Sequence, residues 1–125
     1  MLYREDRGIS EVSGLSIASD IIRGHTDAII LARLAAGNSY GYEINKAIER
    51  KTGGRYELKE ATLYTAFRRL EECGCITSYW GDETTGARRR YYAITDAGKR
   101  TLKALRKEWE EARQMIDSLT TTEGY

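Results

Sequence analysis

The sequence contains no proline, and it has only two cysteines and one histidine among its 125 residues. Without proline, glycine is the residue that separates the secondary-structure elements. Cys73 and Cys75 are one residue apart. A disulfide between such near neighbours would be strained and would close only a trivial loop. We therefore predict reduced thiols in a cytoplasmic protein.

Long apolar runs are also missing. The longest, from Ala28 to Ala36, is interrupted by Arg33 and is too short to cross a bilayer, so we expect no membrane partner. The charged N-terminal sequence MLYREDRG is not followed by an apolar segment, so the sequence predicts no secretion signal.

Groups of residues suited to catalysis or metal binding are scarce. His25, Cys73 and Cys75 are three candidate zinc ligands, but their spacing is not that of a structural zinc site. No set of partner residues accompanies the histidine or the cysteines as a nucleophile and base would require. We predict no enzymatic activity, no cofactor and no bound metal.

The net charge is only +1, but the cations are unevenly distributed. Three arginines are consecutive, and five more cations follow soon after them. A local basic stripe of this kind can bind phosphate, although a solvated charged surface explains the pattern equally well. The cations are Arg88, Arg89, Arg90, Lys99, Arg100, Lys103, Arg106 and Lys107.

Over the first part of the chain, apolar residues recur every three or four positions, which indicates helices. We assign residues 1–13, which lack this period, to a mobile N-terminal segment. Helices are predicted over residues 14–23, from the N-cap Thr26 to Ala36, from the N-cap Ser39 to Gly53, and over residues 60–73, with a short extended piece at residues 55–58.

The period then changes to that of strands. Residues 76–81 and 88–95 are rich in β-branched and aromatic residues, which predicts a β-hairpin with a glycine-containing tip. Thr95 is the predicted N-cap of a long final helix with a narrow apolar seam, for which a second copy of the chain is the expected partner. The seam comprises Leu102, Leu105, Trp109, Ala112, Ile116 and Leu119.

This order of elements predicts an α+β fold, mainly α: a winged helix-turn-helix with a long C-terminal dimerisation helix. The predicted winged-helix domain covers residues 14–95. The dimerisation helix covers residues 96–121, and residues 122–125 form a tail. Double-stranded DNA is the expected partner of such a domain.

The fourth predicted helix has the side chains of a DNA reader opposite its apolar face. Threonine and arginine can contact base edges and phosphates in the major groove, and acidic residues are confined to the ends of this helix. A plain solvated face is the alternative. The candidate contacts are Thr62, Thr65 and Arg69, flanked by Tyr64 and Arg68.

Two neighbouring segments add candidate phosphate contacts. Strand alternation places Arg89 on one side of the hairpin and Arg88 and Arg90 on the other, while Tyr92 is expected to pack on the core. At the start of the third helix, free backbone amides and phenolic hydroxyls can bind phosphate, although an ordinary helix start explains them equally well. These residues are Tyr40, Gly41 and Tyr42.

Four segments together make the sequence similar to the PadR family of bacterial transcriptional regulators. They are Tyr40-Gly41-Tyr42-Glu43-Ile44, Ala61-Thr62-Leu63-Tyr64 with Arg69-Leu70-Glu71, Gly86-Ala87-Arg88-Arg89-Arg90-Tyr91-Tyr92, and Thr95-Asp96-Ala97-Gly98. The resemblance implies a repressor that dimerises through its C-terminal helix and leaves its operator when a small effector binds. Thr65 stands where many members have proline, and the chain resembles the short subgroup that includes multidrug-binding regulators.

In that subgroup a tryptophan at the place of Trp109 stacks against ligands. The resemblance therefore implies a planar aromatic effector at the dimer interface, with Asp27, Ala28, Leu102 and Leu105 lining the site. Arg113 stands where the subgroup would have an acidic residue, which argues against cationic ligands. Packing of Trp109 within the dimer alone is an equally good interpretation.

A different class of function is also consistent with these residues. The basic face of a winged helix can bind an acidic partner protein, with neither DNA nor ligand binding. DNA affinity with a steep salt dependence would distinguish the regulator from such an interaction module.

Overall fold

The computed structural model describes residues 20–82, 86 and 88–123. The predicted mobile segment 1–13, residues 14–19 of the predicted first helix, most of the hairpin tip and residues 124–125 lie outside this part of the chain. Residues 20–23 are helical. The elements that follow are α1 (Thr26–Ala35), β1 (Ser39–Tyr40), α2 (Gly41–Thr52), α3 (Glu60–Glu72), β2 (Ile76–Trp80), β3 (Arg90–Ile94) and α4 (Asp96–Thr120). This order confirms the predicted mainly helical α+β class.

The sheet has three antiparallel strands in the order β1-β3-β2, whereas the sequence predicts only the hairpin of β2 and β3. Ser39 pairs with Tyr92, and Tyr40 pairs with Tyr91. Two residues are too few to show a strand period, so the sequence does not reveal β1. The predicted N-cap role of Ser39 is therefore wrong: its buried hydroxyl donates to the Glu43 carboxylate at 2.6 Å, and α2 begins after Tyr40.

Of the other two predicted N-caps, Thr26 is wrong and Thr95 is confirmed. Thr26 is the first residue of α1 and not its N-cap; its hydroxyl donates to the carbonyl of Arg23 at 2.8 Å and joins the two helical segments. Thr95 caps α4 as predicted, because its Oγ1 accepts a hydrogen bond from the backbone N–H of Gly98 at 3.1 Å.

The predicted extended piece at residues 55–58 forms no strand. The side chain of Asn45 on α2 instead donates to the carbonyl of Leu58 and accepts from its N–H, both at 2.8 Å. These two bonds give the N–H and carbonyl of Leu58 the hydrogen-bond partners that a neighbouring strand would otherwise supply. The Leu58 side chain is thereby placed in the core.

The core lies between α1, α2, α3 and the inner face of the sheet. Phe67 of α3 stacks on Tyr92 of β3 with ring centroids 3.8 Å apart, which confirms the predicted packing of Tyr92. Burial raises the pKa of the Tyr92 phenol. The core comprises Ile30, Leu31, Leu34, Ile44, Ile48, Leu58, Leu63, Ala66, Phe67, Leu70, Cys75, Ile76 and Tyr92.

The first turn of α4 lies directly against the start of β2. The backbone N–H of Thr95 donates to the carbonyl of Cys75 at 3.0 Å. A Cβ atom at Gly98 would lie 2.2 Å from that same carbonyl oxygen and 2.7 Å from Ile94. Only glycine admits this approach, so Gly98 sets the distance at which α4 leaves the winged-helix domain.

We expect Gly98→Ala to destabilise the protein by about 1–3 kcal/mol, because the added methyl group overlaps a fixed backbone carbonyl. A glycine-to-alanine change in an unobstructed helix would instead be stabilising. Urea unfolding followed by circular dichroism measures the difference, with Ser118→Ala on the exposed part of α4 as the control. A Gly98→Ala variant as stable as the wild type would contradict this account of the junction.

Candidate nucleic-acid interface

Helix α3 has one buried and one exposed face, as its apolar spacing predicts. Leu63, Ala66, Phe67 and Leu70 are buried in the core. The remaining predicted contact residues point away from it: Tyr64, Thr65, Arg68 and Arg69 are exposed, and Thr62 is half-buried. The helix therefore presents hydroxyl and guanidinium groups outward, over a length suited to a DNA groove.

The N-terminus of α2 meets α3 in a close corner. A Cβ atom at Gly41 would lie 2.8 Å from the Tyr64 hydroxyl and 3.2 Å from Leu63. Gly41 is buried, so its small size serves the packing of α2 on Tyr64. Tyr42, predicted beside it as a phosphate contact, is 68% exposed. Tyr40 is half-buried in β1.

The wing, formed by the hairpin of β2 and β3, carries the three consecutive arginines on its two sides as predicted. The guanidinium carbons of Arg88 and Arg90 lie 5.6 and 5.5 Å from the ring centroid of Trp80. That of Arg89 lies 4.9 Å from the ring of Tyr40 on the opposite side. Aromatic rings thus hold all three cations close to the wing while leaving them exposed.

A polar chain connects the wing to α3. The Ser78 hydroxyl of β2 donates to the Glu71 carboxylate at 2.5 Å, and Arg90 donates to the same hydroxyl at 2.7 Å. The Arg90 guanidinium lies 3.7 Å from Glu71. Because Glu71 belongs to α3, this chain sets the wing at a defined angle to the helix.

Arg69 differs from the other exposed residues of α3. Its Nε and Nη2 atoms donate to the two carboxylate oxygens of Asp27, near the start of α1. This hydrogen bonding raises the pKa of the Arg69 guanidinium. The sequence assigns Arg69 to DNA and Asp27 to an effector site, whereas the structure pairs the two residues with each other.

A cavity of about 190 Å³ lies between the start of α1 and the middle of α4. It brings together four of the five predicted effector residues, Asp27, Ala28, Leu105 and Trp109. The fifth, Leu102, does not line it. The cavity is also lined by residues that the sequence does not predict as effector contacts. Its full lining is Gly24, His25, Asp27, Ala28, Leu105, Glu108, Trp109 and Ala112.

His25 is the most informative of the additional lining residues. Its ring meets that of Trp109 edge to face, with centroids 4.8 Å apart. The contact joins the residue before α1 to the middle of α4, and no local sequence pattern could have predicted it. The side of the Trp109 indole that faces His25 is therefore packed against a residue of the same chain.

The outer half of α4 retains the predicted apolar seam at its surface. Trp109 is 43%, Ile116 53% and Leu119 75% exposed, and Met115 beside them is also exposed. Leu102 and Leu105, nearer the domain, are half-buried and pack against the core. The predicted dimerisation residues thus divide into three groups: Leu102 and Leu105 pack against the core, Trp109 and Ala112 line the cavity, and Ile116 and Leu119 are exposed.

Within the described part of the chain, no three potential metal ligands lie together. None of the helices described there has both the length and the apolar character needed to cross a membrane.

Comparison with known proteins places this fold in one family. Residues 30–104 match the model of the transcriptional regulator PadR-like family. A transcriptional regulator from Clostridium thermocellum is 50% identical, with 82% of this chain and 97% of that chain covered and a TM-score of 0.76. A PadR family transcription regulator from Clostridium difficile is 33% identical, with 78% and 99% covered and a TM-score of 0.66.

An uncharacterised protein of Lysinibacillus sphaericus is 48% identical over 101 residues, which cover 81% of this chain and 93% of that protein. The matched residues of the family model include the whole of α2, α3 and the wing. The chain belongs to the PadR-like family of transcriptional regulators.

Proposed function

We propose that this protein is a homodimeric, sequence-specific DNA-binding repressor of the cytoplasm, released from its operator by a planar aromatic effector. The observation that carries the proposal is the polar chain from Glu71 through Ser78 to Arg90. It holds the exposed face of α3 and the arginines of the wing in one fixed arrangement. The exposed hydroxyl and guanidinium groups of α3 and the arginines of the wing, held at a constant angle, can contact a groove and its adjacent phosphates together.

In this proposal α3 enters the major groove. Thr65 and Arg68 face the base edges, while Thr62, Tyr64 and the start of α2 flank them. The Arg88 and Arg89 side chains contact phosphates or enter the minor groove beside α3. Arg90 is already engaged with Ser78 and Glu71. We therefore assign it chiefly to orienting the wing.

The double substitution Arg88→Ala and Arg89→Ala should lower affinity for operator DNA, selected from a random library by the purified protein. It should also reduce the salt dependence of binding, by about one unit of slope for each lost phosphate contact. Fluorescence anisotropy titrations at several salt concentrations measure both quantities. The control is Arg50→Ala, an exposed arginine at the far end of α2. Equal losses in the two variants would reject a specific contact by the wing.

A second copy of the chain is the proposed partner of the exposed seam. Residues 99–107 carry five cations and no anion, whereas residues 108–117 carry four anions and one cation. The single cation there, Arg113, is paired with Glu110 and Asp117 of its own helix. An antiparallel pair of α4 helices would set the basic half of each against the acidic half of the other while covering the seam. Two α3 helices on such a two-fold axis suit a palindromic operator with half-sites about one helical turn apart.

Ile116→Glu should convert the dimer to a monomer and weaken operator binding, because burying a carboxylate in the apolar seam costs more desolvation free energy than nearby cations return. Light scattering coupled to size-exclusion chromatography gives the mass, and anisotropy gives the affinity. Ser118→Glu adds the same charge at a polar, exposed position nearby and should leave the dimer intact. A wild-type chain that stays monomeric at all accessible concentrations would refute this part of the proposal.

The cavity beside Trp109 is the proposed effector site. In a Trp80→Phe variant, the planar bicyclic compounds 1-methylquinolinium or 1-methylnaphthalene should quench Trp109 fluorescence in a saturable way, because the indole forms one wall of the cavity. The control is a Trp109→Phe variant that retains Trp80. Quenching that never saturates, or that is equal in both variants, would show that neither compound occupies the cavity.

A further inference from the structure

The Asp27 carboxylate takes part both in the cavity beside Trp109 and in an ion pair with α3. It lines the cavity beside Trp109, and both of its oxygens accept hydrogen bonds from Arg69 of α3. It is thus the residue through which the proposed effector cavity contacts the helix proposed to read DNA. Trp109 and Ala112 of the proposed dimer seam also line this cavity, so in the proposed dimer it lies close to the second copy.

The charges around the cavity favour a cationic ligand. Two carboxylates, Asp27 and Glu108, line it together with His25, and among the residues that the structure describes no lysine or arginine does. Arg113, which by the family resemblance argues against cationic ligands, is not among the residues that line the cavity. Its guanidinium donates to Glu110 and Asp117 along its own helix.

On the other side of the ion pair, an open cleft of about 350 Å³ lies between α3 and the start of α1, where Arg23 of the preceding helical segment also lines it. Thr26, Thr62 and Thr65 line this cleft together with Arg69. The two-point contact between Arg69 and Asp27 therefore joins the helices at a place where their side chains do not pack tightly. Loss of the contact would release α3 on the side that carries Thr62 and Thr65.

We propose that effector and Arg69 compete for Asp27. A cationic planar aromatic that stacks on Trp109 pairs with the Asp27 carboxylate, Arg69 loses its partner, and α3 is no longer held at the angle that fits the groove. This inference rests on the proposed function, since it needs both a ligand at Trp109 and DNA at α3. It assigns Arg69 a positioning role and makes Asp27 the point at which ligand and DNA binding are coupled.

The expected effect is moderate, because the pair is partly exposed, with 53% of the Arg69 and 35% of the Asp27 side chain accessible. The two-point geometry makes it stronger than an ordinary surface pair. We expect 1-methylquinolinium to weaken operator binding roughly threefold to tenfold. By thermodynamic linkage, operator DNA must weaken binding of the probe by the same factor. The neutral isostere 1-methylnaphthalene should weaken operator binding less.

The test uses the 125-residue chain in a Trp80→Phe background, with Trp109 quenching and operator anisotropy measured on the same samples. Asp27→Asn keeps the shape of the side chain but removes its charge. It should lower operator affinity, abolish the preference for the cationic probe and remove its effect on DNA binding. Asp20→Asn, which removes an exposed charge paired with Arg23, should behave as the wild type does. Binding of the probes to DNA alone is measured and subtracted.

A charge exchange tests whether Arg69 acts by position or by touching DNA. The double variant Asp27→Arg, Arg69→Asp restores the ion pair between α1 and α3 with reversed polarity. Operator affinity should recover towards that of the wild type, while the response to the cation should stay lost. Recovery that does not exceed the Arg69→Ala variant would overturn the positioning role.

The outcomes separate this inference from the function on which it rests. If neither probe quenches Trp109, the effector site itself is wrong. If the probe quenches Trp109 and releases the wild type and Asp27→Asn from DNA equally well, the effector site stands and the role of Asp27 is overturned.

Discussion

The stacking of Phe67 on Tyr92 is the contact on which the rest of the arrangement depends. Phe67 belongs to α3 and Tyr92 to the central strand β3, and both are almost fully buried. Their contact sets which face of α3 is turned into the protein and therefore which face is left outside. The same strand carries Arg90 at its start, so the orientation of α3 and the position of the wing are coupled through one pair of rings.

Carboxylates near α3 organise the cations around the proposed DNA surface. Glu71 and Ser78 hold Arg90, and Asp27 holds Arg69, whereas Arg68 on α3 is exposed. Cationic residues of similar appearance in the sequence thus divide into those that orient an element and those available to a phosphate or a base. In a chain with a net charge of +1, the carboxylates of Asp27 and Glu71 thus offset the charges of Arg69 and Arg90 locally.

The sequence predicts helices α1 to α4, the hairpin, the cap at Thr95 and the split of the three arginines across the wing. These features follow from local periodicity and side-chain alternation. It did not predict β1, the cap-free start of α2 or the partner of Arg69. Each of these depends on a contact between distant segments: β1 exists only because β3 lies beside it, and Arg69 turns towards α1 because Asp27 is there.

The sequence by itself determined which helix faces are apolar and where each helix stops at its C-terminus. It also determined that α4 carries a narrow apolar seam and opposite charges in its two halves. Spacing along one chain is enough for these properties, since they depend on neighbours a few residues apart. Only the tertiary structure decided that His25 braces Trp109, that Gly98 lies on the Cys75 carbonyl and that Asp27 is shared between a cavity and α3. Such contacts form when packing of the whole core brings distant residues together, and the spacing of apolar residues along the sequence cannot predict them.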